Sequence, residues 1–174
     1  WTIGPATSDN ITRHGTPDHR HDEAVVAFRA RHVEVGLFQA ELIVGVMEVL
    51  DALVADGIPL ALATAKPVPQ AVTTLEHFDL ADRFTVVAGG VADGIPRSKS
   101  TIVADALGQL GGPDPSRVAM VGDRRHDVDG GRDNGCVTVA VTWGFAEEGE
   151  LAAVAPDHVV HRPAELLDVL HSLG

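Results

Sequence analysis

The chain of 174 residues holds a single cysteine, Cys136, so no disulfide can form within it. A reducing, cytoplasmic setting is expected. Basic residues are scarce: 13 Lys and Arg stand against 25 Asp and Glu, for a formal net charge of −12 and a pI near 5.0. That balance argues against the basic face that binds nucleic acid or anionic lipid non-specifically. It leaves a small anionic substrate open, because a local site can be positive on an acidic protein. No apolar run approaches the ~18 residues of a membrane span. The opening "WTIGPATSDN" has no basic stretch followed by an apolar one, so it is not a signal peptide. The sequence also lacks an initiator Met, and the chain is expected to begin after processing or as a fragment. No Asp-x-Asp follows an apolar run before residue 58; Asp9, Asp18 and Asp22 lie in polar surroundings.

Hydrophobic residues, at 45%, are numerous enough to build a core. The length suits one domain, or one domain with a small appendage. Residues 1–21 read as loop, and "DEAVVAFRARHVEVG" as a helix that Gly36 stops. A clearer helix follows in "VMEVLDALVADG", where Val46, Val49, Leu50, Leu53 and Val54 keep helical spacing and Gly57 fits the position after the last turn. Beyond it, buried strands are predicted at 58–64, "FTVVAGG", "RVAMVG" and "VTVAVT". Helices are predicted between them and at "PAELLDVLHSL". This alternation argues for an α/β fold, an open parallel sheet with helices on both faces. Ligands of such sheets sit beyond the C-terminal ends of the strands.

Three polar signals fall at those ends. In "ATAK", Thr64 and the neighbouring Ala65 and Lys66 can offer a hydroxyl, backbone N–H groups and a charge to a phosphate; Thr64 can equally cap the next turn. In "RSKST", Lys99 can neutralise a phosphoryl group as a point charge, or be a solvated lysine. In "VGDRRHDVDGG", Asp123 and Asp127 can face one point, and magnesium takes one or two carboxylates with phosphate and water completing its octahedron. Turn and cap roles would explain the same two acids. Gly130 and Gly131 each cost about 1 kcal/mol of helix stability relative to Ala, which close backbone packing would explain.

Together these motifs resemble the haloacid dehalogenase superfamily, in its phosphoglycolate-phosphatase-like branch. The resembling pieces are "PLALATAKPVPQAVTTLEHFDLADRF", "RSKSTIVADAL", "VAMVGDRRHDVDGGRDNG" and "VTWGFAEEGELAA"; "IGP" (Ile3 to Pro5) and "AFRARHVEVGLF" resemble the inserted helical cap. The resemblance implies a Rossmann-like three-layer α/β/α core over 43–174 and a partial helical cap segment over 1–42. It further implies that Thr64 binds and Lys99 stabilises the transferring phosphoryl group, that Ala65 and Lys66 line its site, and that Asp123 and Asp127 position Mg²⁺. The implied substrate is a small phosphorylated metabolite. The family's nucleophile belongs to an Asp-x-Asp-x-Thr motif on the first strand, which this sequence lacks. Two apolar sheet edges are therefore expected to stand open unless another segment fills the place or the remaining strands pair differently.

The expectation is a phosphatase whose chain, as given, is inactive or barely active. A phosphomutase, a protein-phosphoryl-transferring relative and a non-catalytic phosphate- and metal-binding regulatory domain are the alternatives. Among the other residues, His19 and His21 form a loose metal-like pair. Trp143 can line a pocket or pack on the core. His126 lies beside the two acids, and Cys136 reads as a small buried hydrophobe.

Overall fold

The structure, a computed structural model, describes residues 11, 12, 14–91 and 97–173. The resemblance of Ile3 to Pro5 to a cap lies outside them. The chain divides into two compact units, Trp1–Glu41 and Leu42–Gly174. The first contains helix α1 (His21–Glu34), which opens with Asp22 and Glu23 and buries none of its residues. A one-turn helix at Gly36–Phe38 follows, in which Leu37 is buried.

The second unit runs α2 (Val46–Ala55), β1 (Ala61–Pro67), α3 (Val68–His77), β2 (Val86–Gly90), α4 (Lys99–Gln109), β3 (Ala119–Gly122), α5 (Arg125–Asp133), β4 (Val137–Val141), α6 (Glu150–Val154), β5 (His158–Val160) and α7 (Pro163–Ser172). All strand pairings are parallel. This is the expected α/β class, and the strands form two sheets, β1-β2 and β3-β4-β5, in keeping with the open edges expected where the family's first strand is lacking. The edge strands β1 and β3 do not pair with each other. Each keeps one strand neighbour among the described residues.

Each sheet has its own core. Val139, Val141 and Val160 pack with Val49 and Leu53 of α2 and Leu166 of α7. Burying an aliphatic side chain of this kind contributes about 1.5–3 kcal/mol. Residues 138 and 139 point to opposite faces of a strand, and Thr138 meets α5, so helices cover both faces of this sheet. In the other sheet, Val86 and Ala88 pack with Ile102 and Ala106 of α4.

Boundaries shift for physical reasons. β1 begins three residues later than predicted and continues through Lys66 and Pro67. A register shift between Ala63 and Pro67 lets the proline enter without breaking the ladder. Helix α6 and strand β5 were not predicted; five and three residues are too few to display a period. The start of β4 is fastened by Asp157, which accepts Thr138 N at 2.8 Å and Thr138 Oγ1 at 2.7 Å, while that hydroxyl accepts Asp157 N at 3.0 Å. The side-chain and backbone bonds from Thr138 hold the Asp157 carboxyl below its ordinary range.

The two helix glycines have steric causes. A Cβ on Gly130 would lie 2.6 Å from Lys99 Cγ, and one on Gly131 would lie 2.7 Å from Met120 Cβ. Gly108 of α4 has nothing within 4 Å of the same position. Gly131→Ala is therefore expected to lower stability by about 1–3 kcal/mol through overpacking. Gly108→Ala is expected to raise it by up to about 1 kcal/mol through helix propensity. Urea denaturation of both variants checks the pair, and a stabilising Gly131→Ala would refute the packing argument.

Candidate active site

The predicted polar residues come from β1, the first turn of α4 and the segment from β3 into α5. Thr64 lies within β1, at its irregular stretch, rather than at the tip of a shorter strand. Its Oγ1 accepts the Lys66 N–H at 3.2 Å, an ST-type turn that fixes the hydroxyl and leaves its hydrogen to point elsewhere. The Lys66 ammonium donates to Thr74 Oγ1 at 3.2 Å. Burial pushes the Lys66 pKa down. Ala65 is exposed beside them.

Lys99 is the first residue of α4, directly after Ser98, whose side chain caps the helix by accepting Thr101 N at 3.1 Å. The cap aims the lysine back toward the strands. Its Nζ donates to Ala63 O at 2.9 Å and lies 2.9 Å from Asp127 Oδ1. One ammonium thus joins the peptide before Thr64 to the second acid of the Gly-Asp-x-x-x-Asp motif.

Asp127 is the third residue of α5, and only 8% of it is exposed. Its Oδ2 accepts the Arg124 N–H at 3.1 Å, the reach-back half of a capping box. Asp123 follows the last residue of β3, and its Oδ2 accepts the Phe145 N–H at 2.7 Å. A Cβ on Gly122 would collide with the Asp127 side chain, and one on Gly144 with that of Asp123. Both carboxylates therefore lie flat on backbone that only glycine can supply.

The donor set consists of hard oxygens from two carboxylates flanking Arg124. Among the described residues no group of three His, Cys, Asp or Glu gathers anywhere to hold a metal. Two carboxylates suit a magnesium ion that keeps water and takes phosphate; zinc would ask for three or four protein ligands. Among the described residues His19 and His21 belong to no such group. His126 is exposed and Trp143 packs against the core of the three-stranded sheet. Cys136 is buried, and burial pushes its thiol up.

Sequence reasoning missed Arg124 and Glu150. Arg124 Nε donates to both Glu150 oxygens, at 2.9 and 3.1 Å. Glu150 Oε1 also accepts Arg125 N at 2.8 Å, and Oε2 accepts Glu147 N at 3.0 Å. Only 9% of the Glu150 side chain is exposed. Burial works to raise its pKa, but the Arg124 guanidinium and the N–H groups of Glu147 and Arg125 outweigh it and hold the carboxyl at about 2.

The haloacid dehalogenase-like hydrolase family matches residues 6–135. The tyrosine-protein kinase PtkA of Mycobacterium tuberculosis is 37% identical over 172 residues, covering 99% of this chain and 58% of that protein. The chain thus spans under two thirds of that relative's length. A phosphoglycolate phosphatase of Vibrio vulnificus is 31% identical over 170 residues, covering 97% of this chain and 74% of that protein. The structure of a haloacid dehalogenase-like family protein from Streptococcus pneumoniae superposes with a TM-score of 0.85 at 26% identity, covering 96% of this chain and 77% of that one.

The Glu150 carboxyl gives a pH test. Unfolded, it titrates near its ordinary 4.5, and folded at about 2. Between those values the unfolded chain binds the extra proton, so stability rises with pH. The contribution is full above 4.5 and is lost as pH falls toward 2. Chemical denaturation across this window is expected to show a shallower acid dependence in Glu150→Gln, and an unchanged slope would refute the assignment.

Proposed function

The chain belongs to the haloacid dehalogenase-like hydrolases, and on that footing we propose that it serves magnesium-dependent hydrolysis of a phosphomonoester, on a small metabolite such as phosphoglycolate. The observation that carries this reading is the Lys99 ammonium, at 2.9 Å from both Ala63 O and Asp127 Oδ1. It draws three motifs far apart in sequence to one point. Its charge neutralises the equatorial oxygens of a transferring phosphoryl group. The Thr64 hydroxyl, already accepting from Lys66 N, donates to one of those oxygens. The Ala65 N–H and the Lys66 ammonium add a partial and a full positive charge beside it. Asp123 and Asp127 would hold Mg²⁺, which when bound shields an incoming dianion from the carboxylates and steadies an in-line displacement. The buried Cys136 accords with a cytoplasmic enzyme.

The nucleophile is the part the sequence does not supply. No Asp-x-Asp-x-Thr occurs in the 174 residues, so this polypeptide by itself is expected to turn over little or nothing. A second reading is favoured by the 37% identity to a protein named as a tyrosine kinase. In it the same site exchanges the phosphoryl group with a protein hydroxyl, and the acceptor alone distinguishes the two.

Hydrolysis of an aryl phosphate, with Mg²⁺ and then with chelator, tests the reading. The polypeptide is expected to match its Asp123→Asn variant. Fusing a strand bearing Asp-x-Asp-x-Thr ahead of Trp1 is expected to produce metal-dependent turnover. In that fused form Lys99→Met is expected to lower kcat by about 10²–10³-fold. Phosphorus NMR separates free phosphate from a phosphorylated protein side chain. A fused form that stays silent would sink the phosphatase reading. Metal-dependent turnover by the unfused chain, abolished in Asp123→Asn, would locate a nucleophile within these residues.

A further inference from the structure

Asp123 owes its orientation to a segment that carries none of the expected motif residues. Its Oδ2 accepts the Phe145 N–H at 2.7 Å, and its Cβ lies against Gly144. The direction of the other oxygen, Oδ1, therefore follows the backbone at 144–145. That backbone is fixed a few residues on. Glu150 takes Glu147 N at 3.0 Å from its own segment, and Arg125 N at 2.8 Å and Arg124 Nε at 2.9 Å from the loop that carries Asp123. One carboxylate thus ties the loop after β3 to the segment after β4.

We propose that Glu150 is a positioning residue for the cation pocket: by gripping Arg124, the Arg125 N–H and the Glu147 N–H together, it holds the 144–145 backbone against Asp123 and sets the direction of Asp123 Oδ1. The inference rests on the reading that Asp123 takes a divalent cation. It makes the Arg124–Glu150 pair a determinant of metal affinity although neither residue is a ligand. Groups that orient ligands in this way typically shift metal affinity by about 10–100-fold when removed.

The molecule supplies its own control. Glu165 at the start of α7 makes bonds of the same kinds within its own segment, accepting His161 N at 2.7 Å, Arg162 N at 3.3 Å and Arg162 Nε at 2.8 Å. None of these partners touches Asp123 or Asp127. A purely structural role would make Glu150→Gln and Glu165→Gln behave alike. The test is Mn²⁺ binding to the full chain, followed by the paramagnetic resonance of the free ion. Glu150→Gln is expected to raise the Mn²⁺ Kd about tenfold or more, with Glu165→Gln unchanged. If Glu150→Gln does not fold, Arg124→Lys, which keeps the charge but loses the planar fork, is measured in its place with the same expectation. A folded Glu150→Gln, or in its place Arg124→Lys, that binds Mn²⁺ like the unsubstituted chain, while Asp123→Asn does not bind, overturns this inference alone. An unsubstituted chain that binds no Mn²⁺ overturns the inference and the cation reading together.

Discussion

The ion pair between Lys99 and Asp127, 2.9 Å apart with side chains 17% and 11% exposed, is the contact on which the site depends. A charge so far from water is costly unless it is matched, and removing either partner of such a pair typically costs about 3–5 kcal/mol. Each member here has a further partner. Lys99 also donates to Ala63 O of the two-stranded sheet, and Asp127 also accepts the N–H that opens α5, which packs on the three-stranded sheet. The pair is therefore a bracket between the two halves of the second unit. Gly130 lets α5 approach α4 closely enough for the bracket to close, because any Cβ there would run into the Lys99 stem.

The parts legible in the sequence were those whose physics is local or periodic. Apolar runs between amphipathic segments revealed an α/β unit with parallel strands, and the parallel sheet told where polar residues matter. Thr64, Lys99, Asp123 and Asp127 stood out because each interrupts an apolar or helical pattern at a strand end. Gly57 marks a helix end by chemistry that needs no tertiary structure. The illegible parts depend on distant pairing. Arg124 and Glu150 are separated by 25 residues of chain, and nothing in either neighbourhood announces the other. Thr138 and Asp157 are the same case. The division into two sheets was foreshadowed by the lacking motif strand, although periodicity marks which residues form strands and is silent on which strands pair.

Charge balance connects the geometry to the proposed chemistry. Among the described residues, with Arg124 paired to Glu150, the charges that the geometry ties together are Lys99 and Asp127, with Asp123 on the same loop as Asp127. The Lys66 ammonium is turned to Thr74 of α3. On the proposed reading, a divalent cation at the two carboxylates and a phosphate at the Lys99 ammonium would each offset the charge that the other brings. The two ligands should therefore favour each other's binding, with the coupling the same in both directions. An ion pair kept for the fold alone would need only Lys99 and Asp127; the second acid on the same loop, Asp123, is the group to which the proposed cation would give a further use.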